Sequence, residues 1–511
     1  MESGAGKDSA LAAVETHLNS LLRHTPKTGR TQPPNFLRLA KQSRDVDDGD
    51  LTHIIHNHHI VDEPEKMAKI LKATWSPIWS KPHPSATRIK QYLNDYKKSI
   101  DPSLLSGLTL KLVEEVVEMK HESSPGPDGI PFAVYRGLHD VASPILLKLA
   151  RHAMTPRKRL NKRFNWTNMF FFPKQKDKLQ ADQLRPISVS NTDNRILANI
   201  IRRMIAPAIE QILSPTQHAF TQGASIEDVI KQVNSRFQAA VSDKLELTVL
   251  LHDFQKAYDS ISREYLFELL RKIGLPKPFL NILENLFASV VGFPILLGPH
   301  KEKIPMPNGL KQGCPLSPLL FILCIDPLLS RLEKYHDIAP HAFADDVAII
   351  FESMSTSLEP VLCEFTKYNM ASGSSSNLTK SCFVSTVDAP AIPPLPAGWT
   401  DLKLRDQHYH LGIPLGRLIS VDDVFRKPLV KLVQRVASYM PMRDTFTLQA
   451  RVNIANAFLY PLFSFVSMFF LMSLTLCNKV ETEIRRWVKN GSLLSFARSR
   501  DLTTPPEYRT Q

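Results

Sequence analysis

The residues of this sequence that could do chemistry are carboxylates set in apolar runs. Asp253 ends the run Val249-Leu250-Leu251, and Asp345-Asp346 sits between Ala342-Phe343-Ala344 and Val347-Ala348-Ile349-Ile350. A carboxylate at the edge of a buried strand is costly unless something neutralises it, and an adjacent pair compounds the cost. Divalent cations resolve it. Mg²⁺ prefers oxygen ligands and binds one or two carboxylates together with substrate phosphates. Two such ions would clamp the attacking and leaving oxygens of an in-line displacement at phosphorus. An Asp-Asp pair by itself is a turn or a helix cap in most proteins. The metal reading therefore depends on what surrounds the pair.

Residues 248–253 read as a buried strand, and residues 342–351 as strand, acidic turn, strand. Residues 108–120, 263–273 and 318–332 carry helical apolar spacing. Ser123-Ser124-Pro125-Gly126-Pro127-Asp128-Gly129 stops the first of these, because Pro and Gly at that density form a tight, ordered turn. Residues 195–213 are expected to be an amphipathic helix, with Leu197, Ile201, Met204, Ala208 and Ile212 on one face and Arg202 and Arg203 elsewhere. Pro390, Pro393, Pro394 and Pro396 mark a loop, and helices are expected over residues 421–489.

The first hundred residues lack a strong period and are expected to be a loosely structured extension followed by short helices. His53, His56, His58 and His59 are interleaved with Ile54, Ile55 and Ile60, with no Cys or carboxylate at ligand spacing, so a strand or surface patch fits better than a metal site. Residues 452–478 carry no charge, and about 20 apolar residues can span a bilayer. Pro461, Asn453 and Asn456 interrupt the run, which favours a buried helical pair and no membrane.

At 511 residues the chain is long enough for more than one domain and for a large core. Lys and Arg outnumber Asp and Glu by 63 to 50, a net charge of +13 that suits a polyanionic partner. None of the five cysteines forms a C-x-x-C pair, and an odd, scattered set suits a reducing compartment. Met1-Glu2-Ser3-Gly4 opens no basic and apolar signal-peptide pattern.

In order and spacing, several segments resemble the motifs of non-LTR (LINE-type) retrotransposon reverse transcriptases over residues 108–415, with a weaker likeness to residue 491. Ser124-Pro125-Gly126-Pro127-Asp128-Gly129 resembles the opening block. Phe172-Pro173-Lys174 and Leu184-Arg185-Pro186-Ile187-Ser188 resemble the fingers hairpin, and Gln217-His218-Ala219-Phe220 with Gly223 the segment after it. Asp253-Phe254-Gln255-Lys256-Ala257-Tyr258-Asp259 is similar to motif A, Asn308-Gly309-Leu310-Lys311-Gln312-Gly313-Cys314-Pro315-Leu316-Ser317-Pro318 to motif B, and Phe343-Ala344-Asp345-Asp346 to motif C. Asn377-Leu378-Thr379-Lys380-Ser381 resembles motif D, and Tyr409-His410-Leu411-Gly412-Ile413-Pro414-Leu415-Gly416 motif E. The stretch Gly373-Ser374-Ser375-Ser376 departs from the family, which usually has apolar residues there.

The resemblance implies an α+β right-hand polymerase: fingers, an antiparallel-sheet palm backed by helices, and a helical thumb. The expected division is a partly disordered N-terminal extension (1–103), fingers and the start of the palm (104–245), the palm with motifs A to E (246–419), the thumb (420–500) and a tail (501–511). It further implies an RNA-directed DNA polymerase using an RNA template, a DNA primer or target DNA, and dNTPs. Asp253, Asp345 and Asp346 would hold two Mg²⁺ ions, with Mn²⁺ as a substitute, and the Phe254 carbonyl would assist. Lys174 and Arg185 would hold the triphosphate, Gln312 and Gly313 would touch nucleotide and template, Tyr258 would lie beneath the sugar, and Lys380 would protonate pyrophosphate.

An RNA-dependent RNA polymerase is the first rival. Such enzymes tend to carry Gly before the acidic pair and a second acid in motif A, where this chain has Ala344 and Tyr258. The second rival is a catalytically dead relic that only binds RNA. The basic cluster Arg157, Lys158, Arg159, Lys162 and Arg163 would face RNA, serve as a nuclear import signal or simply be solvated. The expected setting is a ribonucleoprotein of nucleus and cytoplasm. The residues before the fingers are too few for an upstream endonuclease, and no RNase H or Cys/His knuckle is legible, so a fragment or truncated reading frame is expected. Oligomeric state is left open.

Overall fold

The computed structural model describes residues 51–119, 123–174 and 178–489. The expectations for residues 1–50, 490–500 and 501–511 lie outside the described residues.

The first described residues are part of the fold, not an extension to it. A hairpin of β1 (Ile54–His56) and β2 (His59–Val61) turns at Asn57 and His58, both at positive φ. It carries the histidine run as strand and turn. Helix α1 (Pro64–Trp79) follows, with Pro64 at its first turn, where a missing N–H costs nothing. Met67, Leu71, Trp75 and Trp79 form its buried face. That face packs on Met169, Phe171, Leu184, Val290 and Ile304.

The further strands are, in chain order, β3 (Trp166–Pro173), β4 (Leu184–Ser190), β5 (Thr248–His252), β6 (Val291–Pro294), β7 (Ile304–Pro305), β8 (Ile338–Phe343), β9 (Asp346–Phe351), β10 (Cys382–Ser385) and β11 (Lys403–Arg405). They sort into two sheets. The first has the order β4-β3-β6-β7. Its β3–β4 hairpin is the expected fingers hairpin, with Phe172 opposite Arg185. Strands β6 and β7 come from within the expected palm segment and return to this sheet, so the 246–419 division does not follow the sheets.

The second sheet has the order β11-β10-β5-β9-β8 and is antiparallel except for the edge pair β10–β11. Its central pair sets Leu251 opposite Ala348 and His252 opposite Val347. All five residues of β5 are buried, because both faces of the sheet are covered. Val249 and Leu251 meet Val229, Val233 and Phe237 on one side. Leu250 and Ile349 join the main core on the other, which is built from Ser317–Leu332, Met354–Ser372 and Arg263–Lys272. The helix Thr192–Glu210 corrects the amphipathic expectation. Ile196, Ala198, Asn199, Ile200 and Ile205 are buried as well as the predicted face, because other elements enclose it nearly all round.

A hairpin of Gln407–His410 and Ile413–Gly416 leads into a helical thumb. Its first helix, Val421–Tyr439, starts on a Ser420/Asp423 capping box. The uncharged 452–478 run breaks into Leu448–Ile454, a π turn, Pro461–Ser467 and the start of Leu474–Val488. Phe458, Leu459, Phe463 and Trp487 pack with Phe425 and Val436 into a separate core. Among the described residues no helix is long and apolar enough to cross a membrane. The architecture is the α+β right hand: fingers, palm and thumb.

Candidate active site

The β8–β9 hairpin pairs Phe343 with Asp346, which leaves Ala344 and Asp345 as its two-residue turn. Ala344 takes φ 56°, a conformation that costs a non-glycine residue roughly 1–2 kcal/mol. Gln217 holds the turn from beneath, its Oε1 accepting from the N–H of Ala344 and of Ala219 at 3.0 Å each. The acids thus project from a braced turn at the end of the central strand pair.

Asp253 leaves β5 beside them. The motif D segment holds it through polar contacts, and the serine-rich stretch before that segment holds its neighbours Gln255 and His252. The Gln255 N–H donates to the Ser375 carbonyl, and the Asn377 N–H to the Asp253 carbonyl, at 2.8 Å each. The Asp253 N–H donates to Ser381 Oγ at 3.0 Å, and Asn377 Nδ2 to Asp253 Oδ2 at 2.8 Å. Lys380 Nζ stands 3.8 Å from the same Oδ2. Beneath, His252 Nε2 lies 2.8 Å from Ser376 Oγ, with the ring stacked on Phe365 at 4.2 Å. Burial holds His252 down to about 3, so its ring is neutral.

Motif B lies directly on β4. The Ser188 N–H donates to the Gln312 carbonyl at 2.7 Å. A Cβ on Gly313, at φ 101°, would meet the Ser188 carbonyl oxygen at 2.6 Å, so only glycine fits. Tyr258 stacks on Phe321 at 4.4 Å and 15° and is half-buried.

All ten residues singled out from the sequence line one cavity of about 1260 Å³: Lys174, Arg185, Asp253, Phe254, Tyr258, Gln312, Gly313, Asp345, Asp346 and Lys380. Its electrostatics are those of crowded like charges on two sides. Burial, then the charges of Asp345 and Asp253, push Asp346 up to about 7, although its side chain reaches solvent in the cleft. Burial and Asp253 also raise Asp345. Facing them, burial and then Lys380 and Arg185 lower Lys174.

Among the described residues no three acids, histidines or cysteines converge as a ready-made ion cage. The donor set nevertheless fits a hard divalent cation. The acids are mutually repelling oxygen donors open to a cleft, and Mg²⁺ characteristically takes one or two carboxylates and completes its shell with water and substrate phosphate.

Sequence reasoning missed part of the site. Trp79, Lys81 and Lys256 also line the cavity or hold its wall. Lys256 stacks on the Trp75 ring at 4.0 Å and donates to the Asp182 carbonyl; burial brings it down to about 8. Lys81 Nζ donates to the Gly373 carbonyl at 3.1 Å and Ser375 Oγ at 3.2 Å. Asp259, inside motif A, is fully buried and accepts from Trp79 and Gln312. An acid in the apolar context of Ala257-Tyr258 was the available signal for Asp259; nothing local marked Trp79. In the basic cluster, Arg159 pairs with Glu284 at 3.3 Å and Arg163 lies over the Trp166 ring at 5.2 Å.

Residues 172–414 match the family described as "Reverse transcriptase (RNA-dependent DNA polymerase)". The chain is 25% identical over 246 residues to the 149 kDa protein of transposon TX1 from Xenopus laevis, covering 46% of this chain and 19% of that protein. It is 26% identical over 285 residues to the Pol polyprotein of type-1 retrotransposable element R2 from Popillia japonica, covering 53% and 38%. It is 26% identical over 299 residues to the Pol polyprotein of type-2 element R2DM from Drosophila melanogaster, covering 56% and 27%. The chain therefore spans well under half the length of each of these relatives.

Proposed function

We propose that this chain, whose residues 172–414 form a reverse-transcriptase domain of the non-LTR retrotransposon kind, is an RNA-directed DNA polymerase. It extends a DNA primer or nicked target on an RNA template with dNTPs. One observation above all supports the reading: three carboxylates share a single cavity with Lys174, Arg185 and Lys380.

Asp253, Asp345 and Asp346 would hold two Mg²⁺ ions, or Mn²⁺ in their place, with the Phe254 carbonyl assisting. When bound, these ions supply charge neutralisation at the reacting phosphate. The chain's own part is positioning. Arg185 grips the triphosphate with a planar fork suited to bidentate contact, and Lys174 adds a second cation. Gly313, which glycine alone can fill because a Cβ would strike the Ser188 carbonyl, keeps motif B seated on β4 at the cavity wall, where Gly313 and Gln312 contact the nucleotide pair. Tyr258 sits under the sugar. The primer 3′-hydroxyl gives up its proton to solvent water as its oxygen bonds to the α-phosphorus and the bond to the pyrophosphate oxygen breaks, and Lys380 gives the departing pyrophosphate a proton. The working form would be a ribonucleoprotein of nucleus and cytoplasm.

Primer extension on poly(rA)/oligo(dT) with Mg²⁺ tests this. Asp253→Asn and Asp345→Asn are each expected to lose at least about a thousandfold in rate, with melting behaviour retained. Near wild-type extension by either variant would sink the two-metal assignment. A wild type that prefers rNTPs would favour the RNA polymerase, and one that binds the hybrid without extending it would favour the relic.

A further inference from the structure

Asp259 is a buried acid that the proposed chemistry leaves unused. Its side chain is 1% exposed, on the short helical turn Ala257–Ser260. Oδ1 accepts from Trp79 Nε1 at 3.1 Å, and Oδ2 accepts from Gln312 Nε2 at 2.7 Å. Burial pushes its pKa up only to about 6, so it is ionised at neutral pH. An ionised carboxylate can only accept hydrogen bonds, so both partners must turn a donor toward it. Gln312 borders the cavity and has two chemically opposite ends to its amide.

We propose that Asp259 is a positioning residue that turns the Nε2 end of Gln312 inward and so presents its Oε1 acceptor to a donor group of the nucleotide pair in the cleft. The inference rests on the polymerase reading. Trp79 fixes the carboxylate in turn. It lies on α1, outside residues 172–414, so an element beyond the matched domain takes part in nucleotide selection.

A reciprocal exchange tests the proposal. Asp259→Asn puts a donor where Oδ2 was, which repels the Gln312 amide or turns it end for end. Gln312→Glu sets two carboxylates against each other. Each single change is expected to lower kcat/KM for dTTP on poly(rA)/oligo(dT) at least about tenfold. Together they restore one N–H···O contact with its direction reversed, and an oxygen again faces the cleft. The double variant is expected to return to within about threefold of wild type. Binding of dTTP to the complex with a dideoxy-terminated primer should follow the same pattern. A role in packing alone predicts no such recovery.

A double variant no better than the worse single overturns the proposal, as do singles that match an active wild type. A wild type that neither binds dTTP nor extends the primer overturns the polymerase reading, and this inference with it.

Discussion

At the scale of the residue, Tyr258 shows how one ring can serve both core and site. Its stacking on Phe321 orients it, and its exposed part lines the cavity beside Asp345. A ring beneath the sugar leaves no room for a 2′-hydroxyl and gives that hydroxyl no partner, a penalty of about 1–3 kcal/mol before any clash. Tyr258→Val is therefore expected to relax the preference for dNTP over rNTP at least about tenfold, equivalent to about 1.4 kcal/mol. Single-nucleotide incorporation of dTTP and UTP on one primer measures it. Equal falls in both rates would make Tyr258 a packing residue only. Its position, five after Asp253, was legible in the sequence, whereas the Phe321 face that aims it was not.

Among the elements, α1 departs furthest from the sequence reading. Short helices were expected after a loose extension, but Pro64, Pro77 and the preceding histidines obscured that one of them runs 16 residues with buried Met67, Leu71, Trp75 and Trp79 at every fourth position. Trp75 is wholly buried, stacks with Trp79 at 5.3 Å and lies under Lys256. Trp75→Ala is expected to cost about 3–5 kcal/mol, the usual loss for emptying a large aromatic site. Ile145→Ala, at a helical position 58% exposed, should stay within about 0.5 kcal/mol. Urea unfolding midpoints compare the two. Similar small losses would mean that α1 is a loosely held appendage after all.

For the whole molecule, charge sets two behaviours. The net +13 should make binding to an RNA–DNA hybrid fall steeply with salt, since phosphate contacts release counterions. A fluorescent hybrid titrated over a KCl series reads this, and affinity that stays flat would assign the basic excess to plain surface. Buried histidines set the second. Burial, and then neighbouring histidines, hold His410 down to about 4, and burial with His218 and Arg236 does the same for His341. Unfolded, each titrates near about 6.5. Between these values the unfolded chain takes up protons that the fold refuses, so stability is lost as pH falls from about 6.5 toward about 4. Asp193 and Asp259, pushed up to about 6, act in the opposite sense. Among the described residues the ring nitrogens of His410 meet no hydrogen-bond partner, so His410→Leu is expected to remove little but the titration. Between pH 7 and pH 5 this variant should lose about 2 kcal/mol less than wild type by urea unfolding. An unchanged pH dependence would show that His410 already titrates in the fold.

The central palm strands β5, β8 and β9, the acidic turn and the order of motifs were readable from the chain alone because each is a local pattern, whereas β10 and β11 were not. Alternation along a strand and apolar runs broken by acids are written within a few residues. The tertiary structure alone decided which partners those residues meet. The Trp79–Asp259 bond joins positions 180 apart, and Gln217 reaches 127 positions to brace Ala344. Strand β6 left the palm segment for the fingers sheet, with its neighbour β7 attached, for the same reason: its partner β3 lies far off in sequence, Trp166 facing Val291. Such contacts form only when long loops close over a shared core, and no local period records where a loop will close.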